Sequence, residues 1–321
     1  MFLYIEKSFR TTQFIKLAFH WFSKRWEDVM RKYIGELSLI ITAMIWGSGF
    51  VASSVSLNSF TPYQILAIRF LIGTILLSLV YMKKLKEIRR TTIRKGIILG
   101  FFLYIAFVLQ TVGLQYTTPS KNAFLTAVNV VIVPFIGFFL YKKRIDVREL
   151  TGAVLAMIGV GFISLKLSLE MNIGDVLTLL CAVGFAFQIF YTSRFVNDES
   201  PVLLTLVQMA TAAILGLIFV FFKGEITISV AKEGWLAVLY LGVFSTTIAY
   251  LLQTYAQTFT PETKTAIILS TESVWGMVFS ILLLKEVITF TMVIGAMLIL
   301  LAILISETKG TLLKGKTINL E

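Results

Sequence analysis

Glu272 sits in 267-IILSTESVWGMVFS-280, with long apolar runs on both sides. A charged carboxylate near the middle of a bilayer costs about 2.5–3.5 kcal/mol on insertion scales. Such an acid can gain and lose a proton as its surroundings change access, which would couple proton movement to another solute. It could equally bind an amine or another cation. The plainer alternative is a neutral acid that hydrogen-bonds a neighbouring helix and never moves. The functional role is favoured, because intramembrane acids commonly mark ion and substrate pathways.

Other polar residues recur at helical spacing. Asn122, Thr126 and Asn129 share one face of a helix; Thr246, Tyr250, Gln253 and Gln257 share another. Tyr104, Thr111 and Gln115 form a third stripe, with Gln110 beside it. Thr265, Glu272 and Trp275 form a fourth, flanked by Ser270, Thr271 and Ser273. Together these stripes could line one cavity. The alternative is interhelical hydrogen bonding, worth about 0.6 kcal/mol each, which explains isolated Ser and Thr but explains Gln253 and Gln257 on the face of Tyr250 less well. The expected cavity residues are Trp46, Tyr104, Gln110, Asn129, Tyr250, Gln253, Glu272 and Trp275. Trp46, in 43-AMIWGSG-49, reads equally as cavity wall or core. Arg69 could attract an anionic group, but its place near the outer end of its segment favours a head group that snorkels to the interface. Glu36 and Asp175, at segment starts, read as acids complementing helix dipoles.

The elements that must carry these residues are apolar helices. Of 321 residues, 57% are hydrophobic and 15% charged, with a mean hydropathy of +0.85. Soluble domains carry about a quarter charged residues. Ten segments read as spans of about 30 Å each: roughly 35–55, 62–82, 96–116, 120–141, 148–166, 174–194, 201–222, 234–257, 262–284 and 288–306. The fold class is therefore an all-α integral membrane protein.

The net charge of +11 does not point to nucleic acid, because Lys and Arg cluster in short loops and no base- or phosphate-reading motif is present. With the N-terminus inside, the inner side receives residues 1–34, 83-KKLKEIRRTTIRK-95, 142-KKRIDVRE-149, Arg194, Lys264 and the tail lysines. The outer side receives Lys121, Lys166, Lys223, Lys232 and Lys285. That asymmetry predicts both termini inside. The single histidine, His20, lies outside every span, which excludes intramembrane zinc and histidine-dependent catalysis. Cys181 is the one cysteine and reads as a small packing residue. No G-x-x-x-x-G-K-[ST] loop occurs, so energy would come from gradients. No enzyme activity, cofactor or metal is expected.

The halves match in order. 35-GE-36 aligns with 174-GD-175, and 61-TP-62 with 200-SP-201. Arg69 falls on Gln208, 109-LQT-111 on 252-LQT-254, Lys121 on Lys264, Asn129 on Glu272, and 152-GA-153 on 295-GA-296. The chain thus reads as two five-helix repeats, 35–168 and 173–306, with a basic segment 1–34 before them and a tail 307–321 after them. Five is odd, so the second repeat would cross the membrane in the opposite sense, the arrangement that supports alternating access. Residues 1–34 read as an interfacial helix or as sequence upstream of a start at Met30, the latter slightly favoured. The small-residue pattern 152-GAVLA-156 permits close packing within the chain or across a homodimer.

These residues resemble the drug/metabolite transporter superfamily, specifically its bacterial EamA-type members. The segments that carry the resemblance are 41-ITAMIWGSGFVASS-54, 64-QILAIRFLIGTILL-77 and 264-KTAIILSTESVWGMVFSILLLKEVIT-289, the last being the most specific, and it covers about 35–306. Where many relatives have Pro after the Glu, this chain has Ser273, and where the first repeat often has an acid it has Asn129. The resemblance implies a secondary transporter in the bacterial inner membrane, handling small metabolites such as amino acids, or drugs, commonly outward. Uptake or facilitated exchange without proton coupling is the alternative, and a non-transporting scaffold the more distant one.

Overall fold

A computed structural model describes residues 2–142, 146–164, 172–227, 231–285 and 290–307, and every regular element among them is helical. The helices are α1 (Phe2–Ser56), α2 (Pro62–Val80), α3 (Arg90–Leu114), α4 (Pro119–Tyr141), α5 (Val147–Ser164), α6 (Ile173–Phe195), α7 (Pro201–Phe222), α8 (Lys232–Ala256), α9 (Glu262–Leu284) and α10 (Phe290–Glu307). Eight are long and apolar enough to cross a membrane: Val29–Ser56 of α1, together with α2, α3, α4, α6, α7, α8 and α9. α5 and α10 carry shorter apolar stretches, Leu150–Gly159 and Val293–Ala302. The chain is a multi-pass membrane protein. Residues 2–28 continue α1 in backbone, but their side chains lie outside the described residues, as do Met1 and the tail 308–321.

Local sequence explains where helices begin. Thr61 caps α2 and Thr118 caps α4, each accepting a backbone N–H, with proline in the first turn. Asn172 and Asp175 form a reciprocal capping box on α6. The surface is the reverse of a soluble protein's. Leu79, Phe139, Phe222 and Leu283 face outward, while Arg69, Asn129, Gln188 and Glu272 are buried. That is the partition hydrocarbon demands.

Packing repeats between the halves. α3 lies against α6 as α8 lies against α1, and α3 against α7 as α8 against α2. Likewise α4 meets α6 as α9 meets α1, while α2 meets α7 and α5 runs along α10. Small residues make these approaches possible. A Cβ on Gly159 would fall 2.7 Å from the Gly295 carbonyl oxygen. Gly152, Ala153 and Ala156 are buried, so the small-residue pattern serves contacts within the chain.

α4 and α9 each break in mid-course, at 127–128 and at 270–271. Asn129 and Glu272 are the first residues after the breaks. In α4, Pro134 follows the break by nearly two turns and removes the donor that would serve the Val130 carbonyl. α9 has no proline there, and breaks all the same. Ser270, Thr271 and Ser273 turn their hydroxyls back onto the carbonyls of Ile267, Ile268 and Ser270, each at 2.7 Å. Hydroxyl back-bonding satisfies carbonyls that a straight helix would occupy. Ser273 therefore takes part in the bend that proline would otherwise impose. Both helices also end alike, with Lys142 (φ 50°) and Lys285 (φ 57°) in the left-handed conformation that terminates helices.

Helix α1 touches α9 most closely at Gly47. A Cβ there would lie 2.5 Å from the Trp275 Cβ and 2.7 Å from the Gly276 nitrogen. Gly47→Ala is therefore expected to force the two helices apart and cost about 1–3 kcal/mol. A thermal-unfolding midpoint equal to that of the unmodified protein would contradict this contact.

The candidate substrate cavity

A cavity lies where the two halves meet. It is lined by Trp46, Gly49, Phe50 and Ser53 of α1, Arg69 of α2, Phe107 and Gln110 of α3, and Thr126 and Asn129 of α4. The second half adds Phe185, Gln188 and Ile189 of α6, Ser245 and Tyr250 of α8, and Leu269 and Glu272 of α9. Its interior offers about 40 Å³ of space for water centres, room for roughly three waters.

Two buried ionisable side chains, Arg69 and Glu272, face this space. Arg69 is 2% exposed. Its Nε donates to Thr246 Oγ1 at 2.8 Å and its Nη2 to Ser245 Oγ at 3.3 Å, and its guanidinium lies 4.3 Å from the Phe107 ring centre. The expectation that it snorkels to the interface is wrong. The face of α2 that carries it packs onto α8, so its head group turns inward instead. Residues Leu241–Ile248 of α8 form a π-helix, a widened turn that often marks functional positions. That segment supplies both hydroxyls that hold Arg69, and its Ser245 carbonyl accepts from Trp46 Nε1 at 2.9 Å.

Glu272 is 5% exposed, and its carboxyl makes no hydrogen bond or ion pair with any described residue. Arg69 likewise has no carboxylate partner among them. An unpaired buried charge is expensive, so a guanidinium with no carboxylate beside an acid with no partner makes this cavity a candidate site for a ligand that supplies both. Asn129, on the opposite half-helix, adds a buried side-chain oxygen with no partner among the described residues.

Of the expected residues, Trp46, Gln110, Asn129, Tyr250 and Glu272 come together in the lining. Trp46 stands 4.9 Å from Tyr250, ring to ring, and Gln110 donates to Thr126 at 3.0 Å. Tyr104, Gln253 and Trp275 lie outside it. Tyr104 packs toward α7, 5.6 Å from the Phe219 ring. Gln253 stands behind Gln188, to which it donates at 3.2 Å. The Trp275 Cβ is committed to the contact with Gly47. Sequence reasoning missed the contribution of α6. Its one signal was Gln188, a lone amide in 185-FAFQIF-190, which also bonds Gln208 at 3.1 Å. It also missed Glu36 and Asp175 as ion-pair partners. Glu36 pairs with Lys264, and Asp175 with Lys121 at 2.6 Å.

Comparison with known proteins adds to this geometry. The EamA-like transporter family matches the chain twice, over residues 33–165 and again over 172–308. The chain belongs to the EamA-like transporter family. Among similar EamA proteins, an uncharacterized transporter of Archaeoglobus fulgidus is 34% identical over 282 residues, 87% of each chain. The uncharacterized transporter YoaV of Bacillus subtilis is 22% identical over 271 residues, 82% of this chain and 93% of the relative. A solved structure, described only as a crystal structure of a protein, shares the fold with a TM-score of 0.68 at 17% identity. It covers 85% of this EamA chain and 96% of its own. The protein is a transporter and not an enzyme.

Proposed function

We propose that this EamA protein is a secondary transporter that moves small zwitterionic metabolites, amino acids or related compounds, outward across the bacterial inner membrane. Five helices on each side of 169–172 form inverted repeats, with both chain ends inside. The twofold family match and the exchange of contacts between halves support that arrangement. Alternating access then follows from rocking one repeat against the other around a fixed central site.

The observation that carries this reading is that Arg69, without a carboxylate partner, and Glu272, without a hydrogen-bonding partner among the described residues, stand on the walls of one cavity. A carboxylate on the substrate would accept from the Arg69 fork, and a protonated amine would approach Glu272. Phe107, Tyr250 and Trp46 supply apolar and aromatic walls for the rest of the molecule. Glu272 is the coupling group, exchanging a proton for the substrate's cationic end.

The test is flux into and out of proteoliposomes with a broad metabolite panel, with and without a pH gradient. The expected result is saturable flux of compounds that carry both charges, accelerated by the gradient. Flux confined to compounds lacking either charge would overturn the reading.

A further inference from the structure

Alternating access requires that each end of the cavity be held shut and released in turn. Two ion pairs stand at equivalent positions in the two halves. In the first, Lys121, one turn into α4, reaches Asp175, one turn into α6, at 2.6 Å. In the second, Lys264, at the start of α9, pairs with Glu36 of α1. The sequence repeat places Lys121 on Lys264 and Glu36 on Asp175. Each pair therefore ties the broken helix of one half to the leading helix of the other.

The pairs occupy opposite ends of the bundle. α4 and α9 run antiparallel, with Ala123 facing Gly276: a Cβ on that glycine would lie 3.2 Å from the Ala123 Cβ. Lys121 is half a turn from that crossing, whereas Lys264 lies roughly 18 Å back along α9. Both pairs are largely shielded. Asp175 is 1% and Lys121 30% exposed, and Lys264 and Glu36 are 12% and 15% exposed. Asp175 is held further by Thr117 Oγ1 at 3.1 Å and by the Asn172 backbone N–H at 3.0 Å. Glu36 has a second cation in Lys32 at 3.7 Å, one turn earlier on the same helix. Semi-buried pairs that bridge separate moving bodies suit a latch, because their attraction is lost once water enters between them.

We infer that Lys121–Asp175 and Lys264–Glu36 are the two latches of the transport cycle, each holding one end of the cavity closed. The inference rests on the alternating-access reading above. With both latched the cavity is occluded. Breaking Lys121–Asp175 lets α4 part from α6 and opens the end where α1 finishes and α4 begins. Breaking Lys264–Glu36 lets α9 part from α1 and opens the other end. The half-helices are the natural moving parts, since the breaks at 127–128 and 270–271 let each outer segment tilt without dragging Asn129 or Glu272 from the cavity. Because the two ends compete for one conformational equilibrium, removing one latch must act in the opposite sense to removing the other.

The test reads access directly and needs no substrate. Ser53 lines the cavity near the end of α1. A Ser53→Cys reporter, in a Cys181→Ala background, is labelled in oriented membrane vesicles with a membrane-impermeant maleimide applied from the side where α4 begins. Lys121→Gln or Asp175→Asn is expected to raise the labelling rate about tenfold, and Lys264→Gln or Glu36→Gln to lower it by a similar factor, the effect of roughly 1.4 kcal/mol on the equilibrium. Combining one change from each latch returns the rate toward that of the reporter alone. The charge-swapped pair Glu36→Lys with Lys264→Glu restores the reporter's rate, which a merely damaged protein would not do. Changes in the same direction at both latches, or no change at either, overturn the inference. If the latches have no effect yet the reporter is reached alternately from both sides, alternating access stands and only the latches fall. If the reporter is reached from one side alone in every variant, alternating access itself falls.

Discussion

Glu272→Gln is expected to abolish pH-gradient-driven flux while leaving the fold intact. Gln keeps the shape of the acid and stays neutral, as a protonated carboxyl is. The substitution adds no volume, and no described partner of the carboxyl is lost. What disappears is the ability to release and regain a proton inside the cavity. Net accumulation against a gradient should therefore fall to background. Exchange of substrate for substrate needs no net proton movement, so counterflow should persist at a measurable rate. Coupled flux unchanged from the unmodified protein would remove Glu272 from the mechanism. Asn129, its counterpart in the first half, cannot substitute for it, because an amide does not titrate.

Arg69→Ala should produce the second large effect, on substrate affinity rather than on coupling. The guanidinium is positioned by Thr246 and Ser245 and backed by Phe107, so its donors are already aimed when a ligand arrives. Truncating one partner of a buried, hydrogen-bonded charge contact costs about 2–5 kcal/mol. The KM for a zwitterion should then rise by roughly 30-fold or more. A substrate analogue without its carboxylate should bind the two proteins equally well. Arg69→Lys should recover only part of the affinity, because an ammonium cannot present the fork. An unchanged KM in the alanine variant would place the substrate carboxylate elsewhere.

Much of this site is legible in the sequence. The i, i+4, i+7 spacing of Asn122, Thr126 and Asn129 fixes one polar face of α4, and two of the three reach the cavity. The pairing of Asn129 with Glu272 follows from the repeat alone, and both occupy the first position after a helix break. The failures have physical causes. Distance from a helix end says how easily an arginine could snorkel, but not which way its face points, and Arg69 points at α8. Tyr104 and Trp275 lie on polar stripes, yet large rings follow the neighbour that leaves them space, Phe219 for one and Gly47 for the other. The cavity wall from α6 is hidden because Phe185, Gln188 and Ile189 present only one polar group among them. The α9 break carries no proline to announce it. Three hydroxyls in 270-STES-273 bend the helix instead, and singly each looks like an ordinary packing residue. Glu36 and Asp175 look like dipole caps because a sequence shows a residue's own helix and not the lysine that approaches from another.

The binding of a zwitterion between Arg69 and Glu272 is tested most directly by a crystal structure of the unmodified protein with a transported compound bound. The compound should be whichever member of the panel gives saturable, gradient-dependent flux. Density is expected in the central cavity, with the carboxylate within hydrogen-bond distance of Arg69 and the amine facing Glu272. Density at any other place, or a ligand in the cavity that touches neither residue, would contradict that binding mode.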